Sequence, residues 1–283
     1  MKLRSSCLVN SNDKDSGRKH RWLIYILRMQ CIVKRGGWGG GGYNGIDLFK
    51  FIMAIFVVAI HTQPLINCTN RILLKIYSSI VSCAVPYFFL SSGFLLAKKM
   101  SDGFDKESDL KCITLFIRKN VKLYVLWTLL YMPLTFYGYV VSGDSFVFCV
   151  AHFFRGLFLT GTHYNSHMLW YLLATIYAGL AIRKLLINRY SILRIVAVGA
   201  VLFVVATIMD SFMEYDAESI RSVQLLIKAL FGGRGRLLAG LFYISLGMLL
   251  AKKKVKILYG LLLSFTGFIF VMITQGIYNG LIN

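Results

Sequence analysis

From residue 46 onward the chain alternates between long apolar runs and short breaks that are mostly basic. A helix that crosses a bilayer needs about 20 largely apolar residues. Seven runs are read as spans: 46–66, 76–97, 121–141, 167–182, 195–213, 236–251 and 257–276. The run at 146–160, FVFCVAHFFRGLFLT, is short and interrupted by Arg155, so it predicts an interfacial or re-entrant segment instead. The expected fold class is all-α, a polytopic transmembrane helix bundle of about seven spans.

The first 45 residues break this pattern. RWLIYILRMQCIVKR carries too few apolar residues to span and contains Arg28. It lacks the small-residue cleavage site of a signal peptide. GGWGGGG follows and reads as a flexible linker. It lacks the Gly-Lys-Ser/Thr ending of a phosphate-binding loop. The expected organisation is a basic, glycine-rich extension over 1–45, disordered or interfacial, followed by a membrane domain over 46–283.

Composition agrees with the pattern and excludes other classes. The 283 residues are 57% hydrophobic and 16% charged, too apolar to cover a soluble surface and too rich in aromatics for disorder. The 32 Lys and Arg outnumber 12 Asp and Glu, giving a formal net charge of +20. Such an excess fits either a nucleic-acid partner or the topology-setting charge of cytoplasmic loops. With the N-terminus placed inside, segments 1–45, 98–122, 183–194 and 252–256 hold 24 of the 32 basic residues. The excess is thereby assigned to topology, and no nucleic-acid partner is expected. Membrane lipids are the expected surroundings. Cysteines at 7, 31, 68, 83, 112 and 149 form no CxxC pair, so they read as structural thiols; a disulfide between outward loops would involve Cys68 or Cys149.

The first span carries the candidate chemistry. It reads GIDLFKFIMAIFVVAIHTQPL over 45–65, with Asp47, Lys50 and His61 as its ionisable residues. Such groups inside a span are costly and mark functional positions. Lys50 and His61 lie eleven residues apart, about 20° from eclipsed and about 16 Å along a helix axis. Asp47 precedes Lys50 by three, within ion-pairing reach on the same face. Imidazole suits proton transfer near neutral pH, and Lys50 could neutralise a phosphate. The competing reading is a snorkelling lysine and a histidine bonded to a neighbouring helix.

Four stretches together resemble a known family: the first span, AVPYFFLSSGFLLAKK (84–99), FIRKNVKLYVLW (116–127) and HMLWYLLATIYAGL (167–180). RGRLLAGLFYISLGMLLAKK (234–253) is similar to a later helix of the same group. They resemble the acyltransferase 3 membrane proteins, and most of all the membrane half of vancomycin-resistance-type serine/alanine racemases. The resemblance covers about 46–276. It implies a membrane enzyme that transfers an acyl group, often acetyl, from a cytoplasmic acyl-CoA such as acetyl-CoA to a hydroxyl of a cell-envelope carbohydrate. The donor is a substrate; no bound cofactor is implied. His61 stands at the family's histidine and Lys50 at its arginine, with ten residues between the two. Lys119 and Lys122 stand where the family has Arg-x-x-Arg. Both departures replace a planar bidentate fork by a point charge. Trp170 is implied as a wall of the acceptor site. By position rather than resemblance, Arg234 and Arg236 open the sixth span from outside and read as helix-end anchors, with binding of an acidic acceptor as the alternative for Arg234.

The resemblance also implies about ten spans, so the domain is expected to be short at its C-terminus, with no racemase domain. Two alternatives follow: a membrane module that delivers an amino acid in a serine-racemase-like system, or an inactive truncated relative. Remaining polar positions read mainly as structural. Ser91-Ser92-Gly93 reads as a small-residue helix contact. His152, His163 and His167 have no zinc-motif spacing, and no metal is expected.

Overall fold

The computed structural model describes residues 44–164, 166–214, 221–231 and 236–252. All regular structure among them is helical, with one isolated antiparallel bridge between His163 and Ser166. The described residues divide into two compact units, one up to Val85 and the other from Pro86 onward.

In the first unit, α1 (Asn44–Thr62) leads through a turn to α2 (Arg71–Ser82). Asn70 caps α2, its side-chain oxygen accepting from the backbone N–H groups of Ile72 and Leu73, which satisfies donors that an open helix end leaves bare. The Tyr77 hydroxyl donates to the Ala59 carbonyl at 2.9 Å, and the Gln63 amide donates to the same oxygen at 3.0 Å. These bonds join α2 to the last turn of α1.

The second unit holds α3 (Ala84–Ala97), α4 (Glu107–Ser142), α5 (Phe146–Arg155), a π-helical turn (Gly156–Thr160), α6 (Trp170–Ile187), α7 (Ile192–Glu214), α8 (Arg221–Phe231) and α9 (Arg236–Lys252). Glycines set the helix spacing. A Cβ on Gly93 of α3 would lie 2.0 Å from the Ile244 carbonyl oxygen of α9, and one on Gly247 of α9 would lie 2.1 Å from the Leu90 carbonyl oxygen of α3. Gly199 of α7 meets the Phe242 backbone in the same way, its Cβ position 2.8 Å from the Phe242 Cα. Helix α9 is therefore in backbone-to-backbone contact with two neighbours. Small residues serve this purpose in membranes, where lipid removes the hydrophobic drive and dispersion between close helices replaces it.

At one end of this unit, the loop between α3 and α4 is tied down twice. Buried Asp109 accepts from the Ser101 amide at 2.8 Å, from the Ser101 hydroxyl and from the Lys106 amide at 3.0 Å. Lys252, at the end of α9, pairs with Asp102 at 3.1 Å, donates to the Met100 carbonyl and sits over the Phe104 ring.

Five stretches are long and apolar enough to cross a membrane: Gly45–Thr62, Arg71–Ala97, Glu107–Ser142, Trp170–Ile187 and Ile192–Asp210. Large apolar side chains point outward on them: Leu130 is 58% exposed, Val201 63% and Ile208 62%. Such continuous apolar surface belongs in lipid, and the protein is an integral membrane protein. The five coincide with the first five expected spans, with shifted ends. The sixth, Leu237–Lys252, is a shorter apolar helix, as is Phe146–Thr160; the seventh, 257–276, lies outside the described residues. The third differs most. Its helix starts at Glu107 rather than near 121, and its 36 residues reach about 54 Å, well beyond a hydrocarbon core of about 30 Å. The sequence reading also passed over α8, whose apolar positions Val223, Leu225 and Leu226 are exposed. Cys68, Cys83, Cys112 and Cys149 are free thiols.

Candidate functional site

The first unit presents its polar stripe on α1. An apolar run with no internal glycine or proline from Ile46 to Thr62 keeps this helix continuous. Asp47 sits in its first turn and His61 in its last. The Lys50 ammonium lies 3.8 Å from the Asp47 carboxylate; the lysine side chain is 24% exposed and the aspartate 71%. The lysine stem thus packs against the helix while its partner faces outward. His61 is exposed, two residues past Ala59, whose carbonyl is fixed by Tyr77 and Gln63. A charge pair and an imidazole therefore share one rigid element, with the imidazole accessible to a ligand.

Lys119, Lys122 and Trp170 belong to the second unit. Lys119 is half-buried and Lys122 exposed on α4. Trp170 opens α6 and packs against Phe89 of α3, ring centroids 6.3 Å apart, while Tyr171 meets the same Phe89 ring at 4.5 Å. Arg234 lies outside the described residues. Lys119 and Lys122, three residues apart, are neighbours on one side of α4. Lys122 continues the stripe of Lys111 and Arg118, whereas Lys119 is rotated by about 100° from Arg118.

Two side-chain groupings escaped the sequence reading. The first is a groove between α4 and α6. Arg183 of α6 donates from Nε to the Thr114 hydroxyl at 3.1 Å, and Thr114 in turn donates to the Leu110 carbonyl at 2.8 Å. The available signal was the i,i+4 stripe Glu107, Lys111 and Leu115 on α4, with Arg118 on the same face.

The second grouping lies beyond the far end of α4. Arg155 donates to His152 Nε2 at 2.6 Å, and Tyr139 contacts His152 Nδ1 at 3.2 Å. Arginine has only donors, so Nε2 must accept, and the neutral imidazole carries its proton on Nδ1. His163 follows the π-helical turn. It is 2% exposed, and neither ring nitrogen has a hydrogen-bond partner among the described residues; the Ser166 hydroxyl is likewise buried without one. The ring lies against Phe153 and over Gly156, where a Cβ would approach to 2.3 Å. The three histidines do not assemble a metal centre: among the described residues no three His, Cys, Asp or Glu groups converge.

Burial, with His152, Arg155 and His167 nearby, pushes the His163 pKa down to about 4 from its ordinary 6.5. The unfolded chain therefore takes up this proton first as pH falls. The contribution of His163 to stability is complete above about pH 6.5 and declines as pH drops to about 4. Thermal melts of purified protein across this range should fall more steeply for the native chain than for His163→Gln. Parallel curves would contradict the buried neutral imidazole.

Residues 43–282 match the acyltransferase domain of the acyltransferase 3 type. The match covers most of the chain, and with the membrane-length helices it defines the class: an integral membrane protein with an acyltransferase-type domain. The chain belongs to the acyltransferase 3 family. It is 31% identical over 173 residues to an amino-acid racemase of Enterococcus faecalis, covering 60% of this chain and 22% of that protein. A serine/alanine racemase of Enterococcus gallinarum is 33% identical over 145 residues, covering 51% of this chain and 20% of that protein. The chain spans about a fifth of the length of these curated relatives. No solved structure matches it.

Proposed function

We propose that the protein transfers an acyl group, acetyl in the simplest case, from acyl-CoA to a hydroxyl of a cell-envelope carbohydrate. The observation that carries this reading is the rigid placement of His61 and the Asp47–Lys50 pair on α1, in a chain of this family. In the proposed reaction His61 takes the proton of the acceptor hydroxyl as its oxygen attacks the thioester carbonyl. A C–O bond forms, the C–S bond breaks, and the departing thiolate is neutralised by a proton. Lys50, oriented by Asp47, neutralises negative charge on the donor. Lys119 and Lys122 attract donor phosphates, Trp170 shapes the acceptor site, and Arg234 engages an acidic acceptor. The N-terminus lies inside, and the membrane is a bacterial cytoplasmic one.

The names of the relatives favour a second reading, in which the membrane part delivers an amino acid such as serine. Proteoliposomes separate the two. With the protein reconstituted, radiolabel from acetyl-CoA should appear in an added envelope carbohydrate, and labelled serine should not accumulate inside. Serine uptake without consumption of acetyl-CoA would replace the first reading by the second.

A further inference from the structure

The groove between α4 and α6 has a volume of about 460 Å³ and is lined by Glu107, Leu110, Lys111, Thr114, Leu115, Arg118 and Arg183. Its charges are unequally satisfied. Lys111 pairs with Glu107 at 3.0 Å, both side chains well exposed. Arg118 has no acidic partner among the described residues, and the one bond of Arg183 is made through Nε to Thr114. That bond fixes the plane of the guanidinium and leaves both Nη nitrogens for a ligand. Gly179 contributes to the placement. It lies one turn before Arg183, and a Cβ there would stand 2.9 Å from the Ile117 side chain, so α4 and α6 meet closely beside the groove. Two guanidinium groups thus line one opening that also offers apolar surface from Leu110 and Leu115.

We propose that this groove binds a phosphate group between Arg118 and Arg183, with Lys111 and Lys122 adding charge along the same face of α4. A guanidinium matches phosphate oxygens in a planar, bidentate fashion. Arg118 adjoins the start of the strongly apolar part of α4, at the depth of a lipid headgroup layer. The phosphate can accordingly come from an anionic phospholipid or from a soluble ligand such as CoA, and the recognising chemistry is the same. The inference concerns binding, needs no acyl transfer, and does not depend on His61.

The test titrates the full chain in a neutral detergent, by calorimetry, with four probes. These are CoA, inorganic pyrophosphate, short-chain phosphatidylglycerol and short-chain phosphatidylcholine. At least one phosphate probe should bind saturably to the native protein. Each arginine lost should weaken it roughly 10- to 100-fold, the range for a charge-assisted hydrogen bond. R118Q tests this at an exposed position where folding is not at stake; R183Q and the double variant test the oriented guanidinium. R194Q removes an exposed charge elsewhere and should leave affinity within about twofold, as expected for a distant surface charge. Saturation by CoA and pyrophosphate identifies a soluble ligand. Saturation by phosphatidylglycerol, but by neither phosphatidylcholine nor CoA, identifies a lipid. The proposal is overturned if no phosphate probe saturates, if R118Q and R183Q bind like the native chain, or if R194Q weakens binding equally. The proteoliposome assay reports turnover and this one binding, so failure of either can be told apart.

Discussion

Replacing His61 with alanine should lower acyl transfer by about 10²- to 10⁴-fold, the usual worth of a positioned general base, while the protein elutes and melts as before. The fold argument is direct. His61 is exposed in the last turn of α1, so truncating it opens no cavity. The chemical argument rests on the proposed reaction, in which His61 is the one imidazole on α1 and so the side chain suited to take a proton near neutral pH. His61→Gln should be as inactive as alanine, since an amide keeps hydrogen bonding but cannot accept a proton. Initial rates at saturating acetyl-CoA, with native and variant protein in the same lipid, measure the effect. A glutamine variant of near-native rate would remove His61 from the chemistry and leave it a packing or orienting residue.

The second large effect is structural. Gly93→Leu and Gly247→Leu should each prevent α3 and α9 from closing, giving aggregated or early-melting protein in size-exclusion chromatography. Even alanine must displace a neighbouring helix. Its Cβ would stand 2.0 Å from the Ile244 carbonyl oxygen, or 2.1 Å from that of Leu90, and backbone at that distance cannot rotate away as a side chain can. Overpacking of this type typically costs about 1–3 kcal/mol, a large share of ordinary stability. Gly45, with nothing within 4 Å of its Cβ position, is the control: Gly45→Ala should melt like the native chain. Equal melting of Gly93→Ala and Gly45→Ala would show that the two helices do not approach as described.

What could be read from the sequence follows the range over which each signal acts. Membrane helices declare themselves locally, because lipid demands an apolar run of fixed length, and the first five spans were legible for that reason. The Asp47–Lys50 contact was legible too, being a matter of three residues on one helix. Helix α8 was not, because eleven amphipathic residues fall short of a span and carry charge that reads as loop. The start of α4 was misplaced for a related reason. Its first turns are polar, capped through Asp109 and the Lys106 amide, and hydropathy reports only where a helix enters lipid. The Arg118–Arg183 groove was beyond reach altogether. Thr114 and Arg183 are 69 positions apart, and nothing local to either says that they meet. A motif comparison drew attention to Lys119 and Lys122, but register on α4 puts Arg118, not Lys119, on the grooved face.

The contacts of α9 also fix when the second unit can finish assembling. Gly93 waits for Gly247, and Met100 and Asp102 wait for Lys252, with 152 positions between Met100 and Lys252. At ribosomal speeds of about 5–20 residues per second, that interval is roughly 8–30 s. Throughout it α3 sits in the bilayer with a bare glycine face, joined by that of α7 once residue 214 has been made. The newly made chain is then most open to mispairing with other helices, and to proteases that survey unassembled membrane segments.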